Sequence, residues 1–302
     1  MITRLPNDLV QPEESPPAIA PLIPRTRCNM EAGMHARRTL RSARQMVVNH
    51  GWATAVRAAR DHLKKRLRRT PQAPDTVTWL PTAEHEFDRR YGVDTSGLVW
   101  SVDLKTGSRS DAWNTAYYGI GPSVFHRVMA QVPESLLRTA TFIDLGCGKG
   151  RAVLLASEYP FAQVIGVEIA PQLHRIAVEN VARYAAAQYA EAGRDVAPMS
   201  VVLEDAARYE FPDGPLVVYL YHPFCRPVLE KVVRNLRRSL AAQPRTTAVI
   251  YINHELRDVL DRAPFLEQVW NATVEMDASD RLADRVGSSA EDCAVYLTRP
   301  QN

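Results

Sequence analysis

The feature that most constrains this chain is a β-rich apolar run, residues 141–145, that passes straight into Gly146-Cys147-Gly148-Lys149-Gly150 and then into a helical pattern over residues 150–158. A strand, a glycine-rich turn and a helix in that order form one supersecondary unit. Glycines at alternate positions let the turn adopt positive φ and let the backbone come close to a ligand, with helix N–H groups aimed at it. Beyond this unit, short apolar runs continue to alternate with helical patterns, the signature of parallel βαβ units.

The spacing predicts strands at 141–145, 163–168, 200–204, 215–221, 246–252, 266–274 and 293–298, with helices at 150–158, 171–188, 225–240 and 255–262. Helix 225–240 is the clearest, with Val228, Leu229, Val232, Val233, Leu236 and Leu240 on one face and Pro227 in its first turn. The last two strands have no helical pattern between them, which predicts a terminal antiparallel hairpin.

Upstream the chain reads differently. Residues 1–30 hold six prolines and few aromatics, so they cannot bury enough surface to offset ordering, and a disordered tail is expected. Residues 31–70 read as a basic helical arm, broken near Gly51. Residues 71–140 read as a connecting and cap region, in which Pro122 begins a helix at 123–132 carrying Val124, Phe125, Val128 and Met129. The domain proper is expected at 141–302.

The net charge of +3 is unevenly spread. The arm carries eleven Lys/Arg against two acids and the tail balances at zero, which leaves −6 for residues 71–302. The large domain is therefore mildly acidic and no basic catalytic surface is indicated. The cations at 57–69 would suit an anionic surface, either membrane or nucleic acid, or simply a solvated helix. Four scattered cysteines form no C-x-x-C pair and no dense disulfide pattern, and no apolar run is long enough to span a bilayer. A soluble, cytoplasmic protein is expected.

Which ligand the turn serves follows from its spacing. A dinucleotide fingerprint is G-x-G-x-x-G, shaped for a pyrophosphate, whereas here it is G-x-G-x-G. Asp144, two residues before Gly146, could receive an ammonium group. Glu168 ends the second strand, where a carboxylate can accept from two ribose hydroxyls. Asp205 and Ala206 follow the third strand, where an acid can accept from an adenine amino group. Glycines 146, 148 and 150 with Asp144, Glu168, Asp205 and Ala206 thus favour S-adenosyl-L-methionine over NAD.

Residues 141–224 resemble motifs one to four of the class I S-adenosylmethionine-dependent methyltransferases. The likeness is greatest to a bacterial group with D-L-G-x-G-K-G-R and Y-L-[FY]-N-P-F, and more distant to non-SET protein-lysine methyltransferases. The resemblance implies an α/β fold with a doubly wound sheet, mostly parallel with a terminal antiparallel hairpin, plus the N-terminal helical extension. It also implies that the turn from Tyr118 to Ser123 closes over the methionine end, with Tyr118 and Ser123 near its carboxylate.

Methyl transfer is an in-line displacement, so the protein must align acceptor, methyl and sulfur. The acceptor is expected beyond the fourth and fifth strands, at Tyr219-Leu220-Tyr221-His222-Pro223-Phe224 and Tyr251-Ile252-Asn253-His254-Glu255. The first of these resembles the N-P-F motif of enzymes that methylate nitrogen, with histidine at the polar position. Tyr221, His222 and Phe224 are the expected catalytic residues, His222 either as an acceptor for the amine, as a general base or as an orienting group. His254 is expected to cap the next helix. A metal site from His222, His254 and Glu255 is disfavoured, and no metal is expected. The expected reaction is methyl transfer to a nitrogen, on a protein lysine or another amine. Transfer to oxygen on a small molecule, or a catalytically inactive scaffold, are the alternatives.

Overall fold

The computed structural model describes residues 84–99, 104, 115–192, 196–283 and 289–299. The tail 1–30, the arm 31–70 with its cations at 57–69, and residues 71–83 lie outside the described residues.

Among the described residues seven strands form one sheet: β1 (Thr141–Leu145), β2 (Gln163–Glu168), β3 (Met199–Leu203), β4 (Leu216–Tyr221), β5 (Thr247–Ile252), β6 (Leu266–Glu275) and β7 (Ala290–Thr298). Their order is β3-β2-β1-β4-β5-β7-β6. Strands β1 to β5 run parallel, and β7 is antiparallel to both of its neighbours. The strand order reverses between β1 and β4, so a crevice opens beyond their carboxyl ends. This is the doubly wound, mostly parallel sheet with a terminal antiparallel hairpin expected from the sequence.

Strand β4 shows why both faces of the sheet are covered. Val217 and Tyr219 enter one apolar layer with Phe125 and Phe142, while Leu216, Val218 and Leu220 enter the other with Val228 and Leu229. Among the described residues eight helices fill the layers: α1 (Glu86–Tyr91), α2 (Pro122–Met129), α3 (Glu134–Leu137), α4 (Arg151–Ala156), α5 (Pro171–Ala192), α6 (Arg226–Ala242), α7 (Asp258–Asp261) and α8 (Ala278–Ala283). Helix α6 buries Val228, Leu229, Val232, Leu236 and Leu240 at helical spacing, and proline in its first turn costs no hydrogen bond. Helix α4 is buried on every side, Arg151 included.

The segment before the sheet is fastened to it. Phe87 and Tyr91 pack their rings on Tyr184 of α5 at 5.6 and 4.7 Å. Asp88, buried, accepts from the Thr95 and Ser96 amides at 2.8 and 2.7 Å and from the Thr95 hydroxyl, which folds residues 93–97 back over α1. Lys149 and Asn180 complete the join: Lys149 Nζ donates to Asp94 and to the Ser96 carbonyl, and Asn180 bonds both Asp94 and the Lys149 carbonyl.

Three local expectations need correction. A short helix, α8, does lie between the hairpin strands; Asp280 at its centre is drawn inward to accept from His85 and from Ser123, which no periodicity reveals. The helix expected at 255–262 narrows to Asp258–Asp261, because Asn253 takes a left-handed φ of 50° and the chain turns before it can coil. Consequently His254 caps nothing. Its ring lies 2.9 Å from the Asn271 side-chain amide on β6. Strand β7 begins at Ala290, three residues earlier than its apolar run suggests, since Glu291 and Asp292 pair with β6.

Candidate active site

A cavity lies in the crevice, walled by the ends of β1, β2, β3 and β4, by the Gly146–Gly148 turn and by the strip Thr115–Ile120. Its floor begins with β1, which carries Asp144 inward before the turn. Gly146 and Gly148 have φ of 83° and 57°, a region that side chains rarely adopt. There is also no room: a Cβ on Gly146 would lie 2.4 Å from the Pro223 ring, and one on Gly148 would lie 2.1 Å from the Tyr117 ring. The turn is therefore clasped between two other parts of the wall.

Of the expected cofactor residues, Tyr118, Asp144, Gly146, Gly148, Glu168, Asp205 and Ala206 all line this cavity. Gly150 does not: it precedes α4 with φ of 89° and faces Ala177 of α5, a packing position. Ser123 also lies elsewhere, since its amide and hydroxyl both donate to Asp280.

The carboxylates differ in how they are held. Glu168 accepts from the Gly148 amide at 2.8 Å and from the Ala170 amide at 2.7 Å, which locks the end of β2 to the glycine turn. Burial raises its pKa, and those amides oppose the rise. Asp205 accepts from the Ala207 amide at 2.9 Å. Asp144 is 3% exposed, and its pKa is pushed well above the usual carboxylate range, first by burial and then by the neighbouring charge of Glu168. A cation placed in the cavity would reverse that rise.

Four carboxylates, Asp144, Glu168, Glu204 and Asp205, line the cavity, against one cation, Arg151, among the described residues. The Tyr219 hydroxyl, on the cavity wall and fully buried, has no hydrogen-bond partner among the described residues. An acidic cavity with an orphaned hydroxyl fits a ligand that is cationic and polar and carries a nucleoside. S-adenosylmethionine has a sulfonium, an ammonium and a ribose, and the donor set matches it. A pyrophosphate would meet four negative charges.

The end of the cavity beyond β4 is aromatic. Tyr221 and Phe224 line it, with Tyr118 facing Tyr221 at 6.0 Å between ring centroids. The Tyr221 hydroxyl donates to the buried Glu291 at 2.6 Å. His222 turns away: it has φ of 36°, its ring stacks parallel to Tyr251, and it is absent from the cavity lining. Its Nδ1 lies 3.2 Å from the Tyr251 hydroxyl, and burial lowers its pKa to about 4. The backbone here is held by Thr115, whose hydroxyl donates to the His222 carbonyl at 2.6 Å.

Sequence reasoning missed Thr115, Tyr219 and Glu291. Thr115 and Glu291 meet β4 from distant parts of the chain, and no local spacing links them to it. Arg151 was visible as the last letter of D-L-G-x-G-K-G-R, but the pattern assigned it no task. Among the described residues no group of three or more His, Cys, Asp or Glu side chains is placed to hold a metal ion, and no helix is long and apolar enough to cross a membrane.

Residues 142–243 match the model of a family described as a methyltransferase domain. No curated protein matches the chain. Among solved structures it is similar to a candidate methyltransferase, yhhF, of Escherichia coli, at 16% identity over 59% of this chain and 87% of that one, with a TM-score of 0.41. It is also similar to magnesium protoporphyrin IX methyltransferase of Synechocystis, with bound S-adenosylmethionine, at 12% identity over 59% and 77% and a TM-score of 0.36. A third likeness is to the ribosomal protein L11 methylase of Lactobacillus delbrueckii, at 12% identity over 58% and 75% and a TM-score of 0.35.

Proposed function

We propose that this chain, an S-adenosylmethionine-dependent methyltransferase of class I fold, delivers its methyl group to a nitrogen acceptor, a protein lysine or another amine. The observation that carries the choice of nitrogen is the make-up of the wall beyond β4, which is aromatic and, among the described residues, offers no group that ionises near neutral pH. Tyr118, Tyr221 and Phe224 surround the place where an acceptor would enter, and His222 is turned out of it.

A hydroxyl acceptor must give up its proton for attack, which calls for a base within hydrogen-bond reach. A neutral amine attacks with a lone pair it already holds. The task left to the protein is alignment, with the acceptor nitrogen, the methyl carbon and the sulfur in line. Aromatic faces suit that task for an amine, because they attract the cation that develops as the bond forms.

Asp144 would hold the cofactor ammonium, Glu168 its ribose hydroxyls and Asp205 its adenine amino group. The cofactor supplies an activated methyl group on sulfur. Tyr221, braced by Glu291, and Phe224 would then position the acceptor, while His222 holds the Pro223 bend through Tyr251 and its carbonyl.

Incubation with methyl-labelled S-adenosylmethionine and a fractionated lysate tests the acceptor class. Label that survives mild alkali and appears on amines, in protein or small molecules, is the expected result. Label confined to oxygen, as base-labile esters or small-molecule ethers, would end the nitrogen reading.

A further inference from the structure

Arg151 is the one cation among the described residues that line the cavity, and its guanidinium is built in. The residue is 6% exposed. Its Nε donates to the Thr95 hydroxyl at 2.6 Å, and its two terminal nitrogens donate to the Ser96 hydroxyl at 3.0 Å and the Ile120 carbonyl at 3.3 Å. A guanidinium has five N–H groups, so these three bonds leave two donors.

Its charge is incompletely answered. Asp88 lies 3.5 Å away, beyond a close contact, and already accepts from Thr95 and Ser96. A buried cation without a close anion is costly, and an anionic ligand group would relieve that cost. Space is kept for such a group: a Cβ on Gly119 would lie 3.0 Å from the guanidinium carbon and 2.8 Å from the Thr95 carbonyl, and glycine avoids both.

We propose that Arg151 binds the carboxylate at the methionine end of the cofactor and makes the site selective for a complete amino-acid tail. The inference rests on the reading of the ligand as S-adenosylmethionine. Asp144 and Arg151 would then hold the two charges of one zwitterion, negative group to ammonium and positive group to carboxylate. The Thr95, Ser96 and Ile120 bonds fix the plane of the guanidinium in advance, so little freedom is lost when the ligand arrives. Arg151 takes the part that the motif resemblance gave to Ser123, whose hydroxyl and amide are engaged by Asp280.

The test compares S-adenosylmethionine with decarboxylated S-adenosylmethionine, which keeps the sulfonium and the ammonium, by calorimetry on the full chain. The wild-type protein should prefer the complete cofactor by about 10- to 100-fold, the range of a charged hydrogen-bonded pair. Arg151→Gln should bind both compounds alike, at the weaker level. A purely structural Arg151 would lower affinity for both equally and leave the preference intact, which overturns the proposal. Equal binding of the two by the wild type overturns it as well. Should the glutamine variant fail to fold, Arg151→Lys keeps the charge without the fork, and its preference should shrink to severalfold; an undiminished preference counts against the proposal. If the wild type binds neither compound, the cofactor reading itself fails, a result distinct from binding without discrimination.

Discussion

The two ends of the cavity are built on different principles. Beyond β1, β2 and β3 the wall is made of backbone turns and acids, each set by residues a few positions from a strand end. Beyond β4 it is made of aromatic rings held by partners from remote segments: Thr115 under the bend, Tyr251 beside His222 and Glu291 behind Tyr221. The first end is rigid because local chain geometry dictates it. The second depends on how separate loops meet, so it is where acceptor choice can change while the cofactor stays the same.

The comparison breaks most readily at Asp144. Asp144→Ala should weaken S-adenosylmethionine binding by about 100-fold, the upper range for a charged hydrogen-bonded pair, measured by calorimetry. The ligand-free variant should melt no lower than wild type, because the native carboxylate is buried at a cost. Unchanged affinity would place the cation elsewhere. The pH dependence has a definite sign. The pKa values of Asp144 and Glu168 are raised in the ligand-free protein and a bound cation lowers them, so binding should release protons and weaken as pH falls. Proton release is read by repeating the titration in buffers of different ionisation enthalpy.

A smaller effect is expected at the other end. Tyr221→Phe removes the hydroxyl that donates to Glu291, so turnover should fall by about tenfold, roughly the 1.4 kcal/mol of one hydrogen bond, with cofactor affinity unchanged. Steady-state kinetics beside calorimetry separates the two, and a matching loss of cofactor affinity would show that the two ends are not independent.

How much of this was legible follows the same division. The glycine turn, Asp144, Glu168 and Asp205 stand out because strand, turn and acid lie in one short stretch of chain, and the structure sets all of them on one wall. The strands were legible as alternating patterns, down to the antiparallel hairpin. The direction in which His222 points was not, since it depends on a left-handed backbone and on a tyrosine from β5. Helix α8 was hidden for a related reason: its buried residue is Asp280, a polar anchor for His85 and Ser123, and a polar anchor leaves no apolar stripe to read.

The smallest effect is expected at His222 itself. With its pKa at about 4, the imidazole is neutral throughout the working range, so the rate should show no inflection near the ordinary histidine value of about 6.5. His222→Gln should leave cofactor affinity unchanged. An inflection near 6.5 that vanishes in this variant would restore the histidine as a base. Stability carries the opposite lesson. The unfolded chain binds a proton at about 6.5 and the folded one at about 4, so this contribution is complete above 6.5 and is lost as pH falls towards 4. Thermal melts over that window should show a steeper acid decline in wild type than in His222→Gln.

The contact between Gly146 and Pro223 binds the histories of the two ends together. The proline ring occupies the space that any side chain at 146 would claim. A lineage that gives up the glycine must first give up the ring, and with it the bend that sets Phe224 in the wall. Positions 146 and 223 are therefore expected to change as a pair. A descendant with a new acceptor would most easily arise by altering what surrounds that pair, while leaving the pair itself alone.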